Sequence, residues 1–354
     1  MKETLLNLVR LGIGHQGDAL EKAVDWESLQ SLAAEQGLLA VVLDGLDKQP
    51  LSAYAMPASL KKQWIGRVIQ GYEYRYELYR RAIAELSGWY NTHGYKMMVL
   101  KGYACSLDWP KPEHRPSGDI DIWLFGKQKE ADKELEKDKG IRIEDWHHHH
   151  TVFYWRDFLV ENHFDFINIY HHRSHAAMEK ILKGLGMDES HSIIDYGEKV
   201  FLPSPNLHSL FLLKHMALHF ASGEIMLRQV LDWAFFVEKH TGEIDWLWLC
   251  KVLDEYNLRK FFNCINAICI QDLGFDRDIF PAFQIDPNIK TRVLNDILCP
   301  EFSNKMPKTF FARVVWRIRR WKANSWKHKL CFKESLWSAF WSGVWNHLLR
   351  PSSI

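Results

Sequence analysis

The chain has 354 residues, 47% hydrophobic and 25% charged, a globular composition that excludes a disordered, collagenous or low-complexity protein. Lys and Arg (45) nearly balance Asp and Glu (44), so the whole molecule has no strong electrostatic preference for a partner. The balance is local: Lys305 to Ile354 carries eleven Lys or Arg against one acid, Glu334, which leaves the remainder net acidic.

Residues 1–95 show helical periodicity with few breakers. Between Ser59 and Tyr90, Trp64, Val68, Tyr72, Tyr76, Tyr79 and Ile83 recur at three- and four-residue steps, which predicts a long amphipathic helix. Gln70, Glu77, Arg81 and Glu85 fall on its opposite, water-facing side, and Asn91-Thr92-His93-Gly94 ends it. Lys96-Met97-Met98-Val99-Leu100 then reads as a short buried strand between Gly94 and Gly102. Pro110, Pro112 and Pro116 mark a loop running into Gly118. Asp119-Ile120-Asp121-Ile122 alternates strictly and predicts a second strand continuing through Trp123-Leu124. Lys127 to Lys139 reads as a solvated helix, and Val152 to Ile169 as a hairpin turning at Arg156-Asp157. From Ser174 to about Gly274 the pattern is mostly helical, broken by Pro203, Pro205 and Gly242, and no internal repeat is present.

Asp119 and Asp121 sit two apart on a predicted strand, so both carboxylates point one way while Ile120 and Ile122 enter the core. Two acids held this close repel unless a cation lies between them, which makes the pair a candidate Mg²⁺ site. A solvated polar strand face would show the same spacing. Downstream, Glu161, His163 and Asp165 alternate onto one face of the next strong strand. Leu100-Lys101-Gly102, Arg115-Pro116-Ser117-Gly118-Asp119-Ile120-Asp121 and Val160-Glu161-Asn162-His163 together resemble the LKG, R…DIDL and VE-x-H motifs of the uncharacterised bacterial nucleotidyltransferase family, over about residues 96–175. The stretch Leu227-Arg228-Gln229-Val230-Leu231-Asp232-Trp233 is similar to that family's helical portion.

The resemblance implies an α/β (α+β) fold, a nucleotidyltransferase-like mixed sheet embedded in a mainly helical protein. It implies four regions: a helical region 1–95, the α/β core 96–185, a helical domain 186–300 and a basic Trp-rich tail 301–354. The implied reaction moves a nucleotidyl group from an NTP, ATP among them, to an unidentified hydroxyl acceptor, releasing pyrophosphate. Asp119, Asp121 and Glu161 would be the catalytic acids holding up to two Mg²⁺ ions, with Asp165 the rival third acid. The superfamily's usual Gly-Gly or Gly-Ser is Lys101-Gly102-Tyr103 here, and the gap from Gly102 to Asp119 is longer than the common one. Gly102 still permits a close backbone approach to phosphate, and Lys101 offers a point charge. Arg115 and Ser117 are further nucleotide-binding candidates, although a loop arginine here would equally pair with Asp119 or Asp121. The alternative is a non-catalytic nucleotide, nucleic-acid or protein-binding module that keeps the fold.

Eight of the 18 histidines lie between His147 and His175, four of them consecutive (His147 to His150), and His215 with His219 forms an HxxxH. Zinc is conceivable at either place, though neither carries an HExxH glutamate or a cysteine partner. A hydrogen-bonded structural role, donation to a substrate, or orientation of Glu161 are the other readings. In the tail, Arg and Lys interleave with Trp316, Trp321, Trp326, Trp337, Trp341 and Trp345. Residues 310–354 accordingly offer nucleic-acid contact, an interfacial helix on an anionic membrane, or plain packing of the tryptophans with a solvated basic face. Cysteines 105, 250, 264, 269, 299 and 331 form no CxxC pair, so reduced and mostly buried thiols of a cytoplasmic protein are expected. No signal-peptide core and no run of about 18 apolar residues appears, so no membrane span is expected. Walker, GxGxxG, HExxH and GxSxG motifs are missing.

Overall fold

The computed structural model describes residues 1–20, 24–50, 55–145, 147–170, 172, 174–300, 302 and 306–338. In chain order the elements begin with α1 (Lys2–Gly12), α2 (Trp26–Glu35), α3 (Leu39–Asp47), α4 (Ala58–Val68), a π-helical segment (Ile69–Tyr74) and α5 (Arg75–Thr92). Then come β1 (Met98–Val99), α6 (Lys101–Ser106), β2 (Ile120–Trp123), α7 (Gln128–Lys139), β3 (His150–Trp155), β4 (Phe158–His163) and α8 (His175–Gly186). β5 (Ser192–Asp195), β6 (Glu198–Phe201), α9 (Pro205–Ser222), α10 (Leu227–His240), α11 (Trp246–Glu255) and α12 (Arg259–Gln271) follow. The described elements end with α13 (Pro287–Leu298), α14 (Phe310–Ala323) and α15 (Ser325–Cys331). They fall into two compact units.

One unit comprises Met1–Tyr72, Leu213–Thr241 and Trp246–Lys333, and its described elements are all helical. Within it Lys327 of α15 is 1% exposed, its ammonium 2.5 Å from Asp296 and donating to the Gly223 carbonyl at 2.8 Å. One of the tail's cations therefore serves folding. By contrast Arg313, Arg317, Arg319 and Lys322 of α14 face solvent beside exposed Phe311, Ile318 and Trp321. Trp316 packs edge-on against Phe302 and Trp326 against Phe220, with Arg292 over the Trp326 ring. Trp337 is exposed; Trp341 and Trp345 lie outside the described residues.

The second unit, Glu73–Leu212, Gly242–Asp245 and the described residues from Glu334, holds a six-stranded mixed sheet of order β3-β4-β2-β1-β6-β5. β2 runs parallel to β4 and antiparallel to β1, and β1 runs parallel to β6. The expected long helix is the α4–π–α5 run, and the six stripe residues are all buried. Steps of four advance a stripe about 40° per turn on an α-helix. The wider π turn at Ile69–Tyr74 rotates less per residue and offsets that drift.

β1 is shorter than the five-residue run that predicts it, because the chain leaves the sheet at once into α6. The hairpin turns at Arg156-Asp157 as expected, with Arg156 at φ 54°, but β4 ends at His163. The β5–β6 hairpin falls where the sequence reads helical and extends the sheet beyond residue 185. Its two-residue turn, Tyr196-Gly197, has φ 47° and 83°, the geometry of a type I′ turn that glycine permits.

One face of the sheet is apolar: Ile120 and Ile122 of β2, Val160 of β4 and Phe153 of β3 pack with Tyr79, Ile83 and Leu86 of α5 and Ala131 and Leu135 of α7. α7 is therefore solvated on one side only. Among these residues Asp132 is buried and hydrogen-bonded by Gln128 Nε2 (2.9 Å), Thr151 Oγ1 (2.7 Å) and Asn162 Nδ2 (2.7 Å). Desolvation still raises the Asp132 pKa, those three bonds opposing it. Stranding a buried acceptor costs about 1–3 kcal/mol, so Asn162→Ala should lower the urea midpoint by that equivalent with an unchanged m-value. A loss below about 0.5 kcal/mol would show the network to be dispensable.

Candidate functional site

The opposite face carries the acids. Parallel register sets Asp121 of β2 directly against Glu161 of β4, and Trp123 against His163. The antiparallel β3–β4 pairing sets His150 against His163. Side chains alternate, so Asp121, Glu161, His163 and His150 share one face by backbone geometry alone. Asp121, Glu161 and His163 bring a donor atom each within 4.8 Å of one another, and so do His149, His150 and His163.

Asp121 Oδ1 lies 2.6 Å from the Lys101 ammonium and 3.0 Å from His163 Nε2. Glu161 is 3.7 Å from His163 Nε2 and 3.9 Å from His150 Nε2. His163 Nδ1 faces the Asp165 carbonyl at 3.2 Å; a carbonyl only accepts, so that nitrogen carries the hydrogen. Nε2 then faces two carboxylates, an arrangement satisfied by a second ring proton or by a cation. Asp119 sits just ahead of β2 at the exposed edge of this face, and its carbonyl accepts the Tyr79 hydroxyl at 2.8 Å.

Burial alone would raise the Asp121 pKa, but the Lys101 charge and the His163 hydrogen bond reverse it and hold the carboxyl well below its usual range. Glu161 lies farther from His163 and His150, and the Lys101 charge only partly offsets its burial. Desolvation, with the Asp121 charge beside it, pushes its pKa up to about 7. Asp119 is also raised, by desolvation and then by Asp121. Desolvation lowers His149 to about 2 and His150 to about 3, with neighbouring His163 adding to both. Of the cross-strand pair, Asp121 is held anionic while Glu161 titrates near neutrality.

Lys101 adopts φ 32°, a left-handed conformation uncommon for a residue with a side chain, and projects its ammonium at Asp121. A Cβ on Gly102 would stand 2.6 Å from the Tyr79 hydroxyl. The glycine therefore leaves room for the Tyr79–Asp119 hydrogen bond. Arg115 is buried and donates to the Pro116 carbonyl at 3.4 Å. Among the described residues the buried Ser117 Oγ has no hydrogen-bond partner, while its carbonyl accepts from Arg75 Nε at 3.5 Å.

Asp165 does not share the face of Glu161, because β4 ends at His163; it pairs instead with Lys183. Only His150 of the four-histidine run lies on a strand, since β3 starts there, and the rings of His147, His149 and His150 gather together. The alternation sets His163 on the face of Glu161; that it bonds Asp121 depends on strand register, which no local pattern reveals. His215 and His219 lie on α9 with their Nε2 atoms 3.1 Å apart.

Two carboxylates on adjacent strands, one kept anionic and the other holding a proton near pH 7, are a donor set that a hard divalent ion fits. The ion would replace the Glu161 proton and relieve the repulsion between the acids. Asp119 would add a third carboxylate from the exposed edge.

A family model described as an uncharacterised nucleotidyltransferase matches residues 22–272. No curated protein matches. The crystal structure of an antigenic nucleotidyltransferase-like protein from Paracoccidioides brasiliensis is similar at 14% identity and a TM-score of 0.34, covering 45% of this chain and 75% of that one.

With a folded pKa of about 7 against 4.5 for the ordinary group, Glu161 binds more protons in the folded than in the unfolded chain between those values. Its contribution to stability therefore falls as pH rises from about 5 to about 8. In EDTA, melts across this window should show wild type losing melting temperature relative to Glu161→Gln. Parallel pH profiles would show that Glu161 is not protonated in the folded chain.

Proposed function

The chain belongs to the uncharacterised nucleotidyltransferase family, and on that premise we propose that it transfers a nucleotidyl group from an NTP to a hydroxyl acceptor. The observation that carries this reading is the in-register pair Asp121 and Glu161, with Asp119 beside it. These three acids would hold Mg²⁺, up to two ions. Bound there, magnesium neutralises nucleotide phosphate charge and acidifies an acceptor hydroxyl. The acceptor oxygen attacks the α-phosphorus, the bond to the bridging oxygen breaks, and pyrophosphate leaves.

The remaining roles fall to side chains around the acids. Glu161 completes the metal set, and a carboxylate oxygen left clear of the ion would take the acceptor's proton. Lys101 would offer a point charge to a phosphate, with Asp121 neutralised by the ion the acids would hold. The unpartnered Ser117 hydroxyl can donate to a phosphate oxygen, with Arg115 as a second cation and the Gly102 backbone as the surface of approach. Positioning and charge neutralisation are most of what phosphoryl-type transfer needs.

A second reading, a nucleotide- or partner-binding module that keeps the fold without turnover, is favoured by one observation. The glycine of the LKG motif is explained by the Tyr79 hydroxyl without any phosphate. Thermal melts with each of the four NTPs, with and without Mg²⁺, test the ligand. A ligand at 100 times its Kd stabilises by about 2.7 kcal/mol, so a Mg²⁺-dependent rise of several degrees is expected, and its loss in Asp119→Ala/Asp121→Ala. No shift with any NTP overturns the nucleotide reading. Binding without pyrophosphate release across a panel of hydroxyl acceptors would favour the module.

A further inference from the structure

The three-histidine cluster beside the acids is not used by this reading. His150 opens β3 and His163 closes β4 as direct cross-strand partners. The His149 carbonyl accepts from the amides of Phe164 (3.0 Å) and Asp165 (3.1 Å), which ties the histidine run to the chain just past His163. Ring centroids lie 4.4 Å apart for His149 and His150, 5.3 Å for His150 and His163, and 5.6 Å for His149 and His163. One ring nitrogen from each falls within 4.8 Å of the others. Ligands of a tetrahedral zinc stand about 3.3 Å apart, a gap that rotation about the broad histidine χ2 can close.

Two further observations point to a ligand. His150 is 8% exposed, yet its Nδ1 is buried with no hydrogen-bond partner among the described residues, and His149 Nδ1 is in the same condition. Buried polar nitrogens are rarely left so. His163 gives its Nδ1 hydrogen to the Asp165 carbonyl, the outer-shell contact that fixes a metal-binding histidine's tautomer and turns the other nitrogen to the ion.

We propose that His149, His150 and His163 bind a borderline transition-metal ion of the Zn²⁺ class, with Glu161 or water as fourth ligand. Imidazole nitrogen selects such ions, whereas Mg²⁺ takes carboxylate oxygen. The face thereby offers two chemically different cation positions that share a border at His163 and Glu161. The assignment does not rest on the nucleotide reading, and its probe needs no nucleotide.

The test uses the full chain without a histidine tag, stripped of metal and titrated with Co²⁺ in the presence of excess Mg²⁺. A visible d–d band saturating near one equivalent and displaced by Zn²⁺ is expected. His149→Ala/His150→Ala should weaken Co²⁺ binding at least tenfold, while His215→Ala/His219→Ala retains it. Cobalt-edge X-ray absorption of the loaded wild type should show three imidazoles, a readout that needs no variant to fold. No band, a band lost only with His215 and His219, or fewer than three imidazoles would overturn the assignment.

Discussion

Two carboxylates facing each other across adjacent parallel strands are the constraint around which this unit is organised. Strand spacing of about 4.8 Å brings Asp121 and Glu161 together whatever their rotamers prefer, and desolvation makes their repulsion expensive. The chain answers asymmetrically. Asp121 receives Lys101 and His163, while Glu161 is left to take a proton or a cation. A purely structural strand pair would have no use for such an arrangement, since apolar residues at both positions would fold at lower cost. Retaining two acids there makes sense when the second charge is meant to be matched by a ligand.

The opposite face explains how the acids stay in place. Ile120, Ile122, Val160 and Phe153 weld β2, β4 and β3 to α5 and α7, and the Asp132 network ties Thr151 and Asn162 to α7. Asn162 lies between Glu161 and His163 in sequence and points away from them, so each strand alternates a site residue with an anchor. A one-residue slip would exchange the two sets, burying the acids against α7 and exposing the isoleucines. The register is therefore set by apolar burial, and the geometry of the site follows from it.

This division decides what could be read from the sequence. The Asp119–Ile122 alternation and the Val160–His163 segment announce two half-buried strands, and the Trp64–Ile83 stripe announces its helix, because each pattern is local. Non-local facts have no local pattern: that β2 and β4 are neighbours is implied only by the family resemblance, and that His163 reaches Asp121 and Lys183 claims Asp165 is illegible. The β5–β6 hairpin failed for a different reason. Its strands are four residues each, Ile194 is 70% exposed, and the signal is the dipeptide Tyr196-Gly197, easily lost beside the surrounding helical pattern.

The two-residue β1 and the left-handed Lys101 are one feature seen twice. The ladder does not stop for want of partners: Leu100 still donates to the Asp121 carbonyl at 2.8 Å, and Phe201 to Met97 at 2.9 Å. The chain turns out of the sheet at Lys101, where a non-glycine residue in this conformation costs on the order of 1–3 kcal/mol. A glycine there would avoid the strain but forfeit the ammonium that keeps Asp121 ionised in a buried position. Gly102, the next residue, must be small for the Tyr79 hydroxyl to reach Asp119. The order lysine then glycine fits both needs: the charged residue stands where its ammonium meets Asp121, and the small residue takes the crowded position.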